Sequence, residues 1–354
     1  MGALPGGERG LTAVTAALSR APRVSGVAVT SVPGECAVVT RVPWTTRAWP
    51  GAVARVRPGT RPWHRRRNRS PQADRGRHNQ GMTWTFTSDA EAYTAATEPW
   101  LLRDPVRNTV PLTVLRGIRN GQWVDDLLLG RLERGGQTVA AAIQTPPHFL
   151  VLPDIPADTI PELVERLAER ERSISGVTGP LPVVEAFAAC WRRPEAERRS
   201  ERLYRLGSLC APDPLAGGAS RTAVEDDLDL LVKWGGEFQA EADHGTGADL
   251  TPLVAGRIAR RELVLWEAGG RPVAFAGVST PLGGMSRVGP VYTPPELRGG
   301  GYGIAVSHAV SAKALADGAE EVLLFTDLAN PTSNRIYQAI GYRPVSDYAS
   351  IAFA

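Results

Sequence analysis

The chain has 354 residues, 43% hydrophobic and 22% charged, the make-up of an ordinary soluble protein with room for about two domains. Its net charge of +3 conceals an uneven spread: residues 1–81 hold fourteen arginines against Glu8, Glu35 and Asp74, so the remainder is acidic on balance. No run of about eighteen apolar residues calls for a membrane span, and the three cysteines lack metal-ligand spacing.

Residues 1–81 show no sustained helical or strand period and end in the run "RPWHRRRNRSPQADRGRHNQ". Arg65, Arg66, Arg67 and Arg69 beside Trp63 and His64 would suit a nucleic-acid arm. We favour the plainer reading: an extension without a core, or translation upstream of a start at Met82. Arg- and Pro-rich segments without periodicity rarely bury a core. Lysine occurs only at Lys233 and Lys313, so the arginines read as coding bias, and nucleic acid is not an expected partner. A short apolar patch at 11–18 has no cleavage pattern after it. The expected location is the cytoplasm.

From Met82 onward, apolar and polar blocks alternate. Two stretches read alike: "LERGGQTVAAAIQTP" at 132–146 and "WEAGGRPVAFAGVSTP" at 266–281. Gly135-Gly136 and Gly269-Gly270 suit the positive-φ positions of a hairpin turn. Amphipathic helices are expected upstream of each, at 105–118 and 224–241. An offset of about 134 residues that preserves element order predicts a duplicated domain.

The second half continues with a strand at 288–293, a glycine-rich loop and a helix. That helix carries Val306/Val310 and Ala305/Ala309/Ala312 at helical spacing, and Gly318 stops it. A strand at 321–325 follows, then a helix with Asn330 as N-cap and Pro331 at its first position, then a strand at 343–353. The stretch "RGGGYG" at 298–303 places bare backbone at a helix mouth, where N–H groups and the helix dipole favour an anion. A dinucleotide-binding fingerprint fails here, because the sixth position counted from Gly299 is Ile304, and from Gly301 it is Val306.

Arg298-Gly299-Gly300-Gly301-Tyr302-Gly303 resembles the Arg/Gln-x-x-Gly-x-Gly/Ala loop of the GNAT superfamily of N-acetyltransferases. Downstream, "NPTSNRIYQAIGYRPV" is similar to that family's second signature, with Asn330, Ser333, Tyr337, Gly341 and Tyr342 in register. The resemblance covers residues 203–354 well and 82–202 only as a degenerate copy. It implies that the amides of Gly299, Gly300, Gly301, Tyr302, Gly303 and Ile304 cradle the pyrophosphate of acetyl-CoA, with Arg298 tightening the loop or adding charge. Val291 and Thr293 would offer backbone groups to the pantetheine arm, with Tyr292 packing the other way, and Asn330 and Asn334 would bind the CoA arm. Tyr337, a phenol with an ordinary pKa near 10, would protonate the departing thiolate.

No carboxylate lies on the strand "MSRVGPVYT", so the general base is sought at Glu237, Glu241, Asp243 or His244, or in a water chain. His308, His148 and Cys190 receive no role. The first half's matching stretch is read as "SGVTGPLPVVEAF", with Gly176 and Gly179 but no phosphate loop. The expectation is therefore an α/β protein of two tandem GNAT-like domains, each a mixed, mainly antiparallel sheet flanked by helices. The copy at 82–202 would complete an acceptor cleft or pack against the active half, and 203–354 would be an acetyl-CoA-dependent N-acetyltransferase without a metal. The acceptor would be a small-molecule or peptide amine. A non-catalytic acyl-CoA-binding regulatory module is the alternative.

Overall fold

The computed structural model describes residues 83–123, 125–242 and 249–354; the arginine-rich extension, Asp243 and His244 lie outside them. The first half runs β1 (Trp84–Thr87), α1 (Ala90–Leu101), α2 (Thr109–Arg119), β2 (Leu128–Arg134), β3 (Gln137–Gln144), β4 (Leu150–Val151), α3 (Ile160–Glu169), β5 (Gly176–Pro180), α4 (Leu181–Trp191) and β6 (Glu195–Leu206). The second repeats that order: β7 (Ala219–Thr222), α5 (Leu228–Glu241), α6 (Thr251–Ala259), β8 (Leu263–Ala268), β9 (Arg271–Val278), β10 (Met285–Tyr292), α7 (Tyr302–Ala316), β11 (Glu321–Asp327), α8 (Pro331–Ala339) and β12 (Tyr342–Phe353).

The repeat extends to pairing. β3 with β4 and β9 with β10 are antiparallel, whereas β4 with β5 and β10 with β11 are parallel. Both hairpins turn on glycines at positive φ, 59° and 77° at Gly135 and Gly136, 58° and 73° at Gly269 and Gly270. Both also shift register at matching places, between Leu132 and Glu133 and between Trp266 and Glu267. A shared irregularity of this kind supports duplication more firmly than composition does.

All twelve strands form one sheet in the order β1-β2-β3-β4-β5-β12-β6-β11-β10-β9-β8-β7. The halves have therefore exchanged their last strands. β12 lies against β5 of the first half, and β6 lies against β11 of the second. The cores follow the exchange. Ile351 and Phe353 of β12 pack among Leu163, Val184 and Phe187 of α3 and α4. Tyr204 and Leu206 of β6 pack among Val306, Val310 and Leu324 beneath α7. The division expected after Arg202 falls inside β6.

Period-two alternation along the strands assigns the helices to faces. Leu203 and Leu323 pack with Leu112 and Leu115 of α2, and Leu265 and Phe275 with Leu231 and Trp234 of α5. Their strand neighbours Tyr204, Leu324, Val264 and Ala274 pack on the opposite side. Helices α1, α2, α5 and α6 thus cover one face, and α3, α4, α7 and α8 the other.

The helix expected at 105–118 is α2, four residues later at its start, and α1 was not foreseen. Its sequence, AEAYTAATEPWL, has Pro99 inside and a weak apolar stripe; what fixes it is Asp89, whose side chain caps Ala92 N. "SGVTGPLPVVEAF" is also placed differently: it forms β5 and α4, the counterparts of β11 and α8. The segment that corresponds to the glycine-rich loop precedes α3, reads "PDIPADT" and contains no glycine. No helix among the described residues is long and apolar enough to cross a membrane.

Candidate active site

β10 and β11 pair only from Met285 to Val288 against Glu321 to Leu324. Beyond that point β11 continues beside β6 to Asp327, while β10 bulges away between Val288 and Val291, where Gly289 has φ 149°. The sheet therefore opens into a wedge. Arg257 of α6 holds the bulge, its Nη1 donating to Gly289 O at 3.0 Å.

The chain leaves β10 at Tyr292, makes one 3-10 turn at Pro295–Leu297 and enters the glycine-rich loop. Gly299 and Gly301 have φ 84° and 77°, a conformation L side chains resist, and Gly301 is the N-cap of α7 without a side-chain cap bond. Tyr302 folds its ring back over Gly300, so that a Cβ there would fall 2.8 Å from the ring. The first helical bond runs from Ala305 N to Gly301 O. The amides of Gly299 through Ile304 have no acceptor among the described residues. Gly299, Gly300, Gly301 and Ile304 line an open cavity of about 800 Å³, bordered elsewhere by the 210–216 segment and by Gln338 and Arg343.

Arg298 does not face this cavity as a free charge. Its Nε donates to Thr293 O at 2.9 Å, and its Nη2 donates to both oxygens of Glu241 at 2.8 and 2.6 Å. The guanidinium also lies 5.8 Å from the centre of the Tyr292 ring. It ties loop, strand and α5 together, and it occupies Glu241. Glu237 is occupied too, accepting from Tyr292 OH at 2.9 Å. Tyr292 itself is buried with Trp234 and Phe275. Val291 packs instead towards the α7 side. Thr293 Oγ1 is buried without a partner among the described residues, 3.5 Å from where a Gly303 side chain would begin.

Tyr337 is half-buried on α8, edge-on to Tyr342 with ring centres 6.0 Å apart. No described residue hydrogen-bonds its hydroxyl, and burial pushes its pKa up to about 12. Asn330 caps α8 by accepting from Ser333 N at 3.0 Å. Asn334 donates to Asp327 O and Asn330 O and accepts from Tyr204 OH at 3.0 Å. Both side-chain polar atoms of Asn334, and the carbonyl oxygen of the Asn330 side chain, are thus engaged within the protein. His308 is half-buried on α7, burial holding its pKa below the ordinary value. His148 stacks edge-on with Trp123, and Cys190 is a free thiol packed in the first half.

Sequence reasoning did not single out two charged groups near the wedge. Glu201 of β6 lies directly opposite Asp327 of β11 and has no hydrogen bond or ion pair among the described residues. Burial, reinforced by the Asp327 carboxylate, raises its pKa, while Arg199 and Arg287 oppose the rise. Arg287 of β10 is likewise without a side-chain partner. Both sit on the face covered by α2, since Leu203 and Met285, two residues away, pack against Leu112 and Leu115.

The unpaired loop amides, the orphaned Thr293 hydroxyl and the free Tyr337 phenol fit an anionic ligand with a long, hydrogen-bonding arm, as acetyl-CoA has. The architecture, one mixed sheet whose two halves repeat the same order of strands and helices and each carry a parallel strand pair, is the GNAT acetyltransferase fold in tandem. Residues 274–350, from β9 to β12, match the family described as FR47-like protein. Among solved structures, a GNAT-family acetyltransferase from Colwellia psychrerythraea is similar at 12% identity and TM-score 0.52, covering 77% of this chain and 100% of that one. A GCN5-related N-acetyltransferase from Sphaerobacter thermophilus is similar at 15% identity and TM-score 0.55, covering 76% and 94%. So is a Drosophila protein, at 14% identity and TM-score 0.55, covering 77% and 99%. No curated protein matches the sequence.

Proposed function

We propose that the chain is an acetyl-CoA-dependent N-acetyltransferase with one active site, in its second half. The observation that carries this reading is the run of acceptor-free amides from Gly299 to Ile304 at the start of α7, beside an open cavity and a splayed β10–β11 pair. Those amides and the helix dipole would hold the pyrophosphate. The backbone of Val291 and Thr293 would hold the pantetheine arm along the unpaired edge of β10. Arg298 serves as the brace that keeps the loop in place, and Asn330 and Asn334 keep α8 in register with β6 and β11.

Bound acetyl-CoA supplies an activated thioester. Glu201 takes the proton that the attacking amine loses as its nitrogen bonds to the acyl carbon, and its raised pKa suits that task. Tyr337 gives its phenolic proton to the sulfur as the carbon–sulfur bond breaks, and solvent restores it. The first half lacks a glycine-rich loop, so it would lend β6 and one wall of the acceptor cleft rather than a second site. The acceptor is a small-molecule or peptide amine, and the cytoplasm is the proposed location.

Calorimetry on the full chain with acetyl-CoA should give one site. A panel of small amines, aminoglycosides and peptides should then release free CoA. Two comparable sites would overturn the division of labour between the halves. Binding without turnover of any amine would replace the enzyme with a non-catalytic acyl-CoA-binding module.

A further inference from the structure

We infer that Arg287 is the docking point for a carboxylate on the acceptor, so that the substrate is an amine that also carries an acid group, as an amino acid does. The inference rests on the acetyltransferase reading and deepens it. Arg287 sits on the last stretch of β10 that still pairs with β11, where Val288 is opposite Leu324 and the wedge begins. Its backbone is held by Ser279, whose hydroxyl accepts from Arg287 N at 3.0 Å. Its guanidinium is half-buried and has neither a hydrogen bond nor an ion pair among the described residues.

The other cations beside it are differently placed. Arg116 of α2 donates to Thr280 O at 3.3 Å. Arg257 of α6 donates to Gly289 O and lies 3.4 Å from Glu262. Glu262 is in turn held by Arg260 and by Thr280. Neither of these arginines leaves a counter-ion for Arg287. Burial and these two positive neighbours push its pKa down to about 10, and only Glu201 pulls the other way. A half-buried guanidinium without a partner loses hydration that nothing replaces, and an incoming carboxylate offsets that loss through paired, charge-assisted bonds.

Glu201 cannot serve as that partner and still be the base. It lies on β6, one strand beyond β11, opposite Asp327. Arg287 pairs across to Leu323, four residues back along β11. The anion site and the base therefore flank the same strip of sheet from two directions, with Phe325 between them on that face. An amino acid whose carboxylate meets Arg287 can present its amine towards Glu201 within the wedge.

The test offers the full chain acetyl-CoA together with the common L-amino acids, each paired with its carboxamide, and follows CoA release. At least one acid should be turned over with kcat/KM roughly tenfold or more above its amide. Arg287→Met should erase that preference by raising KM for the acid while leaving kcat close to wild type. Arg287→Lys should restore part of it. Acetyl-CoA affinity, measured by calorimetry, should be the same in all three proteins. Failure of the wild type to bind acetyl-CoA would sink the acetyltransferase reading itself. Equal use of acids and amides by wild type, or a preference that survives Arg287→Met, overturns the carboxylate site. Should no amino acid be turned over, calorimetry with the same pairs in the presence of CoA decides, and equal binding of acid and amide overturns it.

Discussion

Arg257 lies against the bare backbone of Gly277, so closely that a Cβ on Gly277 would fall 2.5 Å from its Nη2 and 2.8 Å from Gly289 O. The glycine on β9 is the gap through which α6 reaches the bulge of β10. Gly277→Ala should therefore either evict Arg257, leaving the buried Glu262 with one fewer cation, or push the bulge outwards. A loss of roughly 2 kcal/mol is expected, read from the denaturant midpoint. An unchanged midpoint would mean that Arg257 moves aside freely and the bulge stands without it.

Gly301→Val forces a branched residue into a conformation with φ 77° and places its side chain at the cavity wall. Acetyl-CoA affinity should fall by roughly tenfold or more, because the amides that follow lose their aim. Gly318→Ala is the control, since Gly318 also has positive φ but lies at the far end of α7. It should lower stability and leave acetyl-CoA affinity intact. Equal effects on binding from both variants would assign the loop glycines to folding alone.

Tyr337→Phe keeps the ring against Tyr342 and removes a hydroxyl that no described residue engages. Turnover should drop by about a hundredfold with acetyl-CoA affinity little changed, the pattern of a group that acts in the transition state. Full activity would leave solvent to protonate the thiolate. A matching loss of affinity would make the tyrosine a packing residue.

Glu201→Gln should lower kcat by about a hundredfold or more. Glu201 accepts a proton only when ionised, and its pKa is raised, so wild-type rates should fall as pH drops through that raised value. The acid limb should vanish from the residual activity of the variant. An acid limb that persists unchanged would place the base elsewhere.

Burial pushes Tyr337 and Tyr348 up to about 12, while in the unfolded chain they titrate near 10. Below about pH 10 both states hold these protons and stability is unaffected; between about 10 and 12 only the unfolded chain releases them. Stability should therefore decline across that window, by about 1.4 kcal/mol per pH unit for each tyrosine. In Tyr337→Phe the decline should be shallower. A flat profile to pH 12 would mean that these phenols are open to solvent.

The glycine-rich loop, the hairpins and the α8 cap were legible because each is local: a few residues within one turn dictate their own backbone. Glu201 and Arg287 were not. β6 reads "EAERRSERLYRL", and its first four residues are exposed, so it resembles a charged linker. The signal it does carry is short, Leu203 and Arg205 alternating with Tyr204 and Leu206. Arg287 sat in a strand searched for carboxylates. Its meaning depends on α2 and α6, brought beside it by contacts distant in sequence. The strand exchange was hidden for the same reason, since period-two patterning tells a strand which way to face but not which neighbour to choose.

That exchange also sets a timetable during synthesis. β6 is made midway, yet both its neighbours, β11 and β12, belong to the end of the described chain. While the ribosome works through the second half, β6 waits with both backbone edges open, and β5 waits with one. The first half cannot close its sheet as it emerges, in contrast to domains that fold one after another from the N-terminus. Until β12 arrives, the nascent chain exposes the edges that invite pairing with other chains. The charges along "EAERRSER" stand on the edge that waits longest.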